Sequence, residues 1–183
     1  MTTLPNLNPN PTGYVFLDVD GILNPFLREL NLDGWKLTEI EGFWVWTSKT
    51  VGEWFQSLVE SGVQIVWATT WINSPAGLRK LECKWGLPAN LPTIDRLERQ
   101  PTYLDRTSCG KRPGIIRWMN AHNINTDTVP TVWVDDDLGP VDLDWAEARG
   151  VKTVKVPSLR GLSDPAQLRA IEDALGVRVE AVA

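Results

Sequence analysis

Histidine is almost missing from this chain: His122 is the only one among 183 residues. A transition-metal centre built on several imidazoles is therefore excluded, and His122, late in a predicted helix, reads as a structural or exposed residue. Cysteine is nearly as scarce. Cys83 and Cys109 stand far apart without a C-x-x-C partner, which supports neither a disulfide framework nor a zinc knuckle and suits a reducing compartment. Positive charge is in deficit, with 18 Lys and Arg against 23 Asp and Glu and a net charge of −5. That balance argues against broad neutralisation of a nucleic-acid backbone, while leaving room for a local basic patch. No run of about 18 apolar residues occurs, and MTTLPNLNPNPTG has no basic segment followed by an apolar one. The expectation is a soluble, cytoplasmic protein with no membrane segment and a flexible leader over residues 1–13.

What the chain does have is apolar runs that end in acid. Residues 14–24 read YVFLDVDGILN: Tyr14 to Leu17 suit a strand covered on both faces, and Gly21 allows a sharp turn where the sheet ends. Asp18 and Asp20 are thus delivered to the C-terminal edge of a strand, where open α/β sheets bind ligands. VQIVWA (63–68) is a second apolar strand, followed by Thr69-Thr70-Trp71. TVWV (131–134) is a third, and it runs into Asp135, Asp136 and Asp137.

Between these runs the periodicity changes. Trp35, Leu37, Ile40, Phe43 and Val45 alternate around Glu41-Gly42, which predicts a β-hairpin flap inserted at about 24–48. Helical spacing follows over 49–61, then from a Ser74 N-cap and Pro75 to Trp85, and over 112–122, 142–149 and 163–175. A last strand is predicted at 151–156. Residues 87–110 are irregular, with one short strand placed around Leu91–Ile94. Alternating helices and apolar strands predict a single α/β domain over 14–183, with a doubly wound, mostly parallel sheet.

Carboxylates from two neighbouring strand ends, Asp18 and Asp20 with Asp135 and Asp136, are costly to crowd together unless a cation sits among them. The oxygen-only donor set suits Mg²⁺. An EF-hand is excluded because Ile22 and an early Gly21 break its alternate-oxygen pattern. Phosphoryl transfer also needs a neutral donor and a fixed positive charge. Thr69 is the chosen hydroxyl, with Thr70 capping the turn, and Lys111 the ammonium, with Arg112 its competitor. Most of the ten tryptophans read as core. Those of the flap, Trp35, Trp44 and Trp46, are placed either to pack the hairpin or to stack on a base.

In this order, DVDG, TT, Lys and DDD, the motifs resemble those of the haloacid dehalogenase-like (HAD) phosphatase superfamily. The wording FLDVDGILN, WATTW and VDDD resembles the small HAD domains associated with RNA-repair-like proteins, although Ile72-Asn73 departs from the expected Ala-Asn. The resemblance implies a Rossmann-like HAD core with no large cap domain. It makes Asp18 the nucleophile and Asp20 the general acid/base. Thr69 and Lys111 become the phosphate-binding and charge-balancing groups. It places Mg²⁺ on Asp18, the Asp20 carbonyl, Asp135 and, less directly, Asp136, with Asp137 less involved. The implied activity is hydrolysis of a phosphomonoester through an aspartyl-phosphate. Asp20 favours phosphate over carbon–halogen chemistry, and Lys36 and Lys49 are weak candidates for the extra lysine of a phosphonate hydrolase. An open site suits bulky substrates such as nucleic-acid ends. The alternatives are a mononucleotide 5′- or 3′-nucleotidase and a catalytically idle binding module. Arg96, Arg99, Arg106 and Arg160 are the basic residues marked for phosphate contacts.

Overall fold

The computed structural model describes residues 5–27, 34–95, 97 and 107–179. In chain order these form β1 (Gly13–Leu17), a hairpin of β2 (Trp35–Ile40) and β3 (Phe43–Ser48), α1 (Lys49–Glu60), β4 (Val63–Trp67), α2 (Pro75–Trp85), α3 (Arg112–Ala121), β5 (Thr131–Asp135), α4 (Pro140–Ala148), β6 (Lys152–Lys155) and α5 (Pro165–Leu175). Short 3-10 turns cover Thr70–Asn73 and Gly161–Ser163. The main sheet is parallel throughout, in the order β4-β1-β5-β6.

Each central strand is apolar on both sides because both sides are covered. Val15, Leu17, Ile65, Trp67, Val132 and Val134 pack in one cluster with α1, α2 and α5. Phe16, Val66 and Trp133 alternate into a second cluster with Ile115, Trp118 and Met119 of α3 and Ala146 of α4. Two cores on opposite faces make the sheet doubly wound, as predicted.

Helix starts follow local chemistry. Ser48 Oγ accepts from Val51 N at 3.4 Å, and Asp164 accepts from Ala166 N at 2.8 Å. Ser74 occupies the N-cap position of α2 without a side-chain cap bond, so Pro75 alone marks that start. Gly86 and Gly176 close α2 and α5 in the left-handed region, at φ 64° and 69°.

The predicted strand at Leu91–Ile94 shrinks to one bridge between Thr93 and Trp67. Trp67 N donates to Pro92 O at 2.8 Å and Ile94 N to Trp67 O at 2.9 Å, while Pro92 itself has no N–H to extend a ladder. Residues 5–12 of the leader have no helix or strand, while Gly13, counted with the leader in the sequence, already opens β1 opposite Val63. The leader is tied by Asn6 N to Asn90 O (2.7 Å), Asn8 N to Gln64 Oε1 (2.7 Å) and Thr12 N to Gly62 O (3.1 Å).

The hairpin turns at Glu41 (φ 51°) and Gly42 (φ 82°), between the paired Ile40 and Phe43, as a two-residue loop of primed type. Ile40 and Val45 bury one of its faces in the domain, and Trp35 packs edge-on to Trp85. This flap is small, and among the described residues no large cap domain accompanies it. Among the described residues no helix is long and apolar enough to cross a membrane.

Candidate active site

The strand order decides what meets at the sheet edge. Leu17 of β1 is in register with both Trp67 of β4 and Val134 of β5, so Asp18 and Asp135 leave adjacent strands at the same level. The chain passes from β1 to β4 on one side and returns to β5 on the other, which makes this crevice the topological switch point. Asp18 Oδ1 accepts from Val19 N at 2.7 Å. Asp135 Oδ1 accepts from Asp137 N at 3.1 Å, and its Oδ2 accepts from Trp133 Nε1 at 3.2 Å.

Lys111 Nζ sits between these two carboxylates, donating to Asp18 Oδ2 and, at 2.7 Å, to Asp135 Oδ2. The lysine is 4% exposed, so its placement depends on the loop before it. Asp142, fully buried, holds that loop. Its Oδ1 accepts from Ser108 Oγ (2.6 Å), and its Oδ2 accepts from Cys109 N (2.8 Å) and Gly139 N (3.2 Å). One carboxylate thereby fastens the lysine loop to the acidic loop after β5. Arg112 faces elsewhere, donating to Val141 O at 2.8 Å, and among the described residues it is Lys111 that reaches the two carboxylates.

Oxygens of Asp18, Asp135 and Asp136 all lie within 4.8 Å of one another. This all-oxygen set, with no imidazole or thiolate in it, fits a hard divalent cation such as Mg²⁺. Asp136 reaches the cluster across Gly21. A Cβ there would lie 2.2 Å from Asp136 Oδ2, and the φ of 75° disfavours any side chain. Gly21→Ala is therefore expected to push Asp136 aside and weaken Mg²⁺ binding by about tenfold or more, read by calorimetry, since loss of one well-placed carboxylate contact is worth over 1 kcal/mol. Unchanged affinity would show that Asp136 does not contribute to binding.

Burial pushes the Asp18 carboxyl up to about 7; the Lys111 ammonium opposes the rise and Asp135 adds to it. Burial and the Asp135 charge likewise push Asp136 up to about 6. For Lys111, burial alone lowers the ammonium, but Asp18 and Asp135 outweigh it and the net shift is upward. Both carboxyls bind protons more tightly folded than unfolded. Without a cation, the stability they contribute is lost as pH rises from their ordinary 3.8 through about 6 and 7. A divalent cation such as Mg²⁺, if bound by these carboxylates, would have to displace those protons. Its binding should release roughly one to two protons near pH 6 and almost none above about pH 8.5, measured as the difference in binding heat between two buffers. The same proton release at both pH values would contradict the raised carboxyls.

Asp20 lies outside the cation cluster. Its side chain turns to Trp71 Nε1 (3.0 Å) and Asn24 Nδ2 (3.0 Å). Thr69 is fully buried beside Asp18, where its hydroxyl helps to oppose the rise in the carboxyl, and its Oγ1 accepts from Trp71 N at 3.4 Å. The turn-capping role expected of Thr70 therefore belongs to Thr69, because the residue that enters the 3-10 turn is the one facing inward, and Thr70 is exposed. Asp137 is also exposed. His122 stacks on Trp118 at the far end of α3, with ring centroids 3.9 Å apart. Lys49 pairs with Glu53 on the surface. Arg160 is exposed, and Arg96, Arg99 and Arg106 lie outside the described residues.

Asn24, Trp71, Trp133 and Asp142 contribute to the site without being singled out by the sequence. Trp133 had a signal, since it lies two residues before Asp135 on the same side of the strand. Asn24 and Trp71 lay inside the motifs DVDGILN and WATTW, with nothing local to show that both aim at Asp20.

A parallel Rossmann-like sheet with D-x-D after its first strand, a buried threonine and lysine on the first aspartate, and a second acidic edge beside it defines a HAD-like domain. The chain matches, over residues 14–166, the family described as HAD domain in Swiss Army Knife RNA repair proteins, and it belongs to that family. Membership points to a HAD-type, phosphatase-like function. No curated protein matches the chain.

Proposed function

We propose that the chain is a Mg²⁺-dependent phosphomonoesterase acting through an aspartyl-phosphate on Asp18. The observation that carries this reading is the environment of Asp18: a buried carboxylate bonded to Lys111, with the buried Thr69 hydroxyl beside it, facing the carboxylates of Asp135 and Asp136. Bound by those three aspartates, Mg²⁺ would offset the negative charge of the phosphate oxygens. Asp18 attacks phosphorus as the bond to the leaving oxygen breaks, and Asp20 gives that oxygen a proton. Asp20 then takes a proton from the water that attacks the phosphoenzyme, releasing phosphate and restoring Asp18. Lys111 and Thr69 hold the nucleophile, and they are positioned to donate to the non-bridging oxygens.

The substrate we infer is a terminal phosphate on a bulky molecule, with nucleic-acid ends favoured. A groove of about 490 Å³ runs beside Asn24 and is lined by Phe26, Leu37, Trp44 and Trp46. Trp44 is 63% exposed and Phe26 53%, so their ring faces are open to a base. Trp46 is fixed by its Nε1 bond to Leu27 O (3.1 Å), and Trp35 is committed to packing on Trp85. Of the three flap tryptophans, Trp44 is the one free to stack. Trp44→Ala should raise KM about tenfold for a phosphorylated oligonucleotide, since one stacked base is worth about 1–3 kcal/mol. Turnover of p-nitrophenyl phosphate should not change. An equal effect on mononucleotides would favour the nucleotidase reading.

The test of the whole reading is a Mg²⁺-supplemented panel of p-nitrophenyl phosphate, mononucleotides and end-phosphorylated oligonucleotides, with metal-free controls. Inactivity of the wild-type chain across it would favour a binding module instead.

A further inference from the structure

Both oxygens of Asp20 are taken, and each donor leads back to the flap. Oδ2 accepts from Trp71 Nε1 at 3.0 Å, and the Trp71 ring carries Phe43 of the hairpin tip, with centroids 5.7 Å apart. Oδ1 accepts from Asn24 Nδ2 at 3.0 Å, and Asn24 Oδ1 accepts from Trp46 N of β3 at 3.1 Å. Two separate arms, one from the tip and one from the middle of the hairpin, therefore converge on one carboxylate. The tip is also tethered to α2 by the Glu41–Lys80 ion pair at the turn.

A carboxylate after a turn has free torsions, and in water it would sample many directions. Here its direction is set by two neutral donors whose own positions depend on where the hairpin lies. Phe43 is 61% exposed, so its contact with Trp71 contributes little to the core and is not needed for folding. The same hairpin forms a wall of the groove described above, through Leu37, Trp44 and Trp46. A molecule seated in that groove would touch the same hairpin whose tip and middle contact the donors of Asp20.

We propose that the flap sets the aim of Asp20, with Asn24, Trp71 and Phe43 as positioning residues, so that occupation of the groove and proton transfer to the leaving group are coupled. The coupling rests on the phosphatase reading, in which Asp20 protonates the leaving oxygen. Its signature is selective. A leaving group that departs unaided, such as p-nitrophenolate, hardly needs the proton, whereas an alkoxide does.

The test compares p-nitrophenyl phosphate with benzyl phosphate for wild type, Asp18→Asn, Trp71→Phe, Phe43→Ala and Phe43→Tyr. Trp71→Phe keeps a ring under Phe43 but removes the N–H. Trp71→Phe and Phe43→Ala should each lower kcat on benzyl phosphate by about tenfold to a hundredfold, a part of the 10²–10⁴ that general acid catalysis supplies. On p-nitrophenyl phosphate the loss should stay within about threefold, and Phe43→Tyr should recover the benzyl rate, as expected of an aim defect rather than a folding defect. An equal loss on both substrates, or none on either, overturns the coupling while Asp18→Asn remains dead. Activity in Asp18→Asn, or none in wild type, overturns the phosphatase reading instead. Should Trp71→Phe unfold, Phe43→Ala and Phe43→Tyr decide alone, because Phe43 is exposed.

Discussion

Lys111→Met should lower the unfolding temperature of the metal-free protein by about 10 °C and turnover by about a thousandfold. The first effect follows from burial. Lys111 and the two carboxylates it joins, Asp18 and Asp135, are each 5% exposed or less. Removing one partner of a buried ion pair leaves uncompensated charge and typically costs about 3–5 kcal/mol, with each kcal/mol worth about 2–4 °C at this chain length. The second effect follows from proton binding. Without the ammonium that opposes the rise, the Asp18 carboxyl moves further above about 7 and is held protonated, and a protonated carboxyl is a poor nucleophile. On the proposed phosphatase reading, loss of a donor to the transferred phosphoryl group would add a further factor of about 10²–10³. Lys111→Arg should not restore activity, because a planar fork cannot take the place of a compact ammonium between two buried oxygens. Mg²⁺ should recover part of the lost stability, since it supplies positive charge to the same carboxylates. Thermal melts with and without Mg²⁺, beside a kcat measurement, check all of these.

Asp18→Asn separates chemistry from fold. The amide has the shape of the carboxylate and removes one buried negative charge, while Lys111 keeps its bond to Asp135 at 2.7 Å. Stability should therefore hold or rise, most clearly above about pH 7, where the wild-type carboxyl is forced to ionise. Activity should fall by about 10⁴-fold or more on every phosphomonoester, since an amide cannot form the phosphoenzyme. A stable and inactive variant is the combined outcome, read by melting and by phosphate release. A variant that loses stability along with activity would show Asp18 to be a structural residue.

The strand ends of this site could be read from the chain because local rules determine them. An apolar run such as VFL or TVWV that stops at an aspartate marks both a buried strand and its edge. Lys111 was legible only by its order among the motifs. Its inward position depends on Asp142, more than thirty residues on, through bonds to Ser108 and Cys109 that no local pattern records. Thr69 is the buried one of the pair and Thr70 the exposed one, and the cap expected of Thr70 belongs to Thr69 as well. Tryptophan hides its polar end. Trp71 and Trp133 count as apolar mass in any hydropathy pattern, yet their N–H groups orient Asp20 and Asp135. The flap was legible as a hairpin from its alternation and Glu41-Gly42. Which of its tryptophans face outward was not, because that depends on contacts such as Trp35 on Trp85.

The nucleophile can be tested without knowing the natural substrate. Wild type and Asp18→Asn are mixed with a phosphomonoester radiolabelled in its phosphoryl group, quenched in acid within a single turnover, and digested. The expected result is acid-stable, base-labile label on the peptide containing Asp18 in wild type and none in Asp18→Asn. Label on another residue, or phosphate release by Asp18→Asn at the wild-type rate, would contradict the assignment.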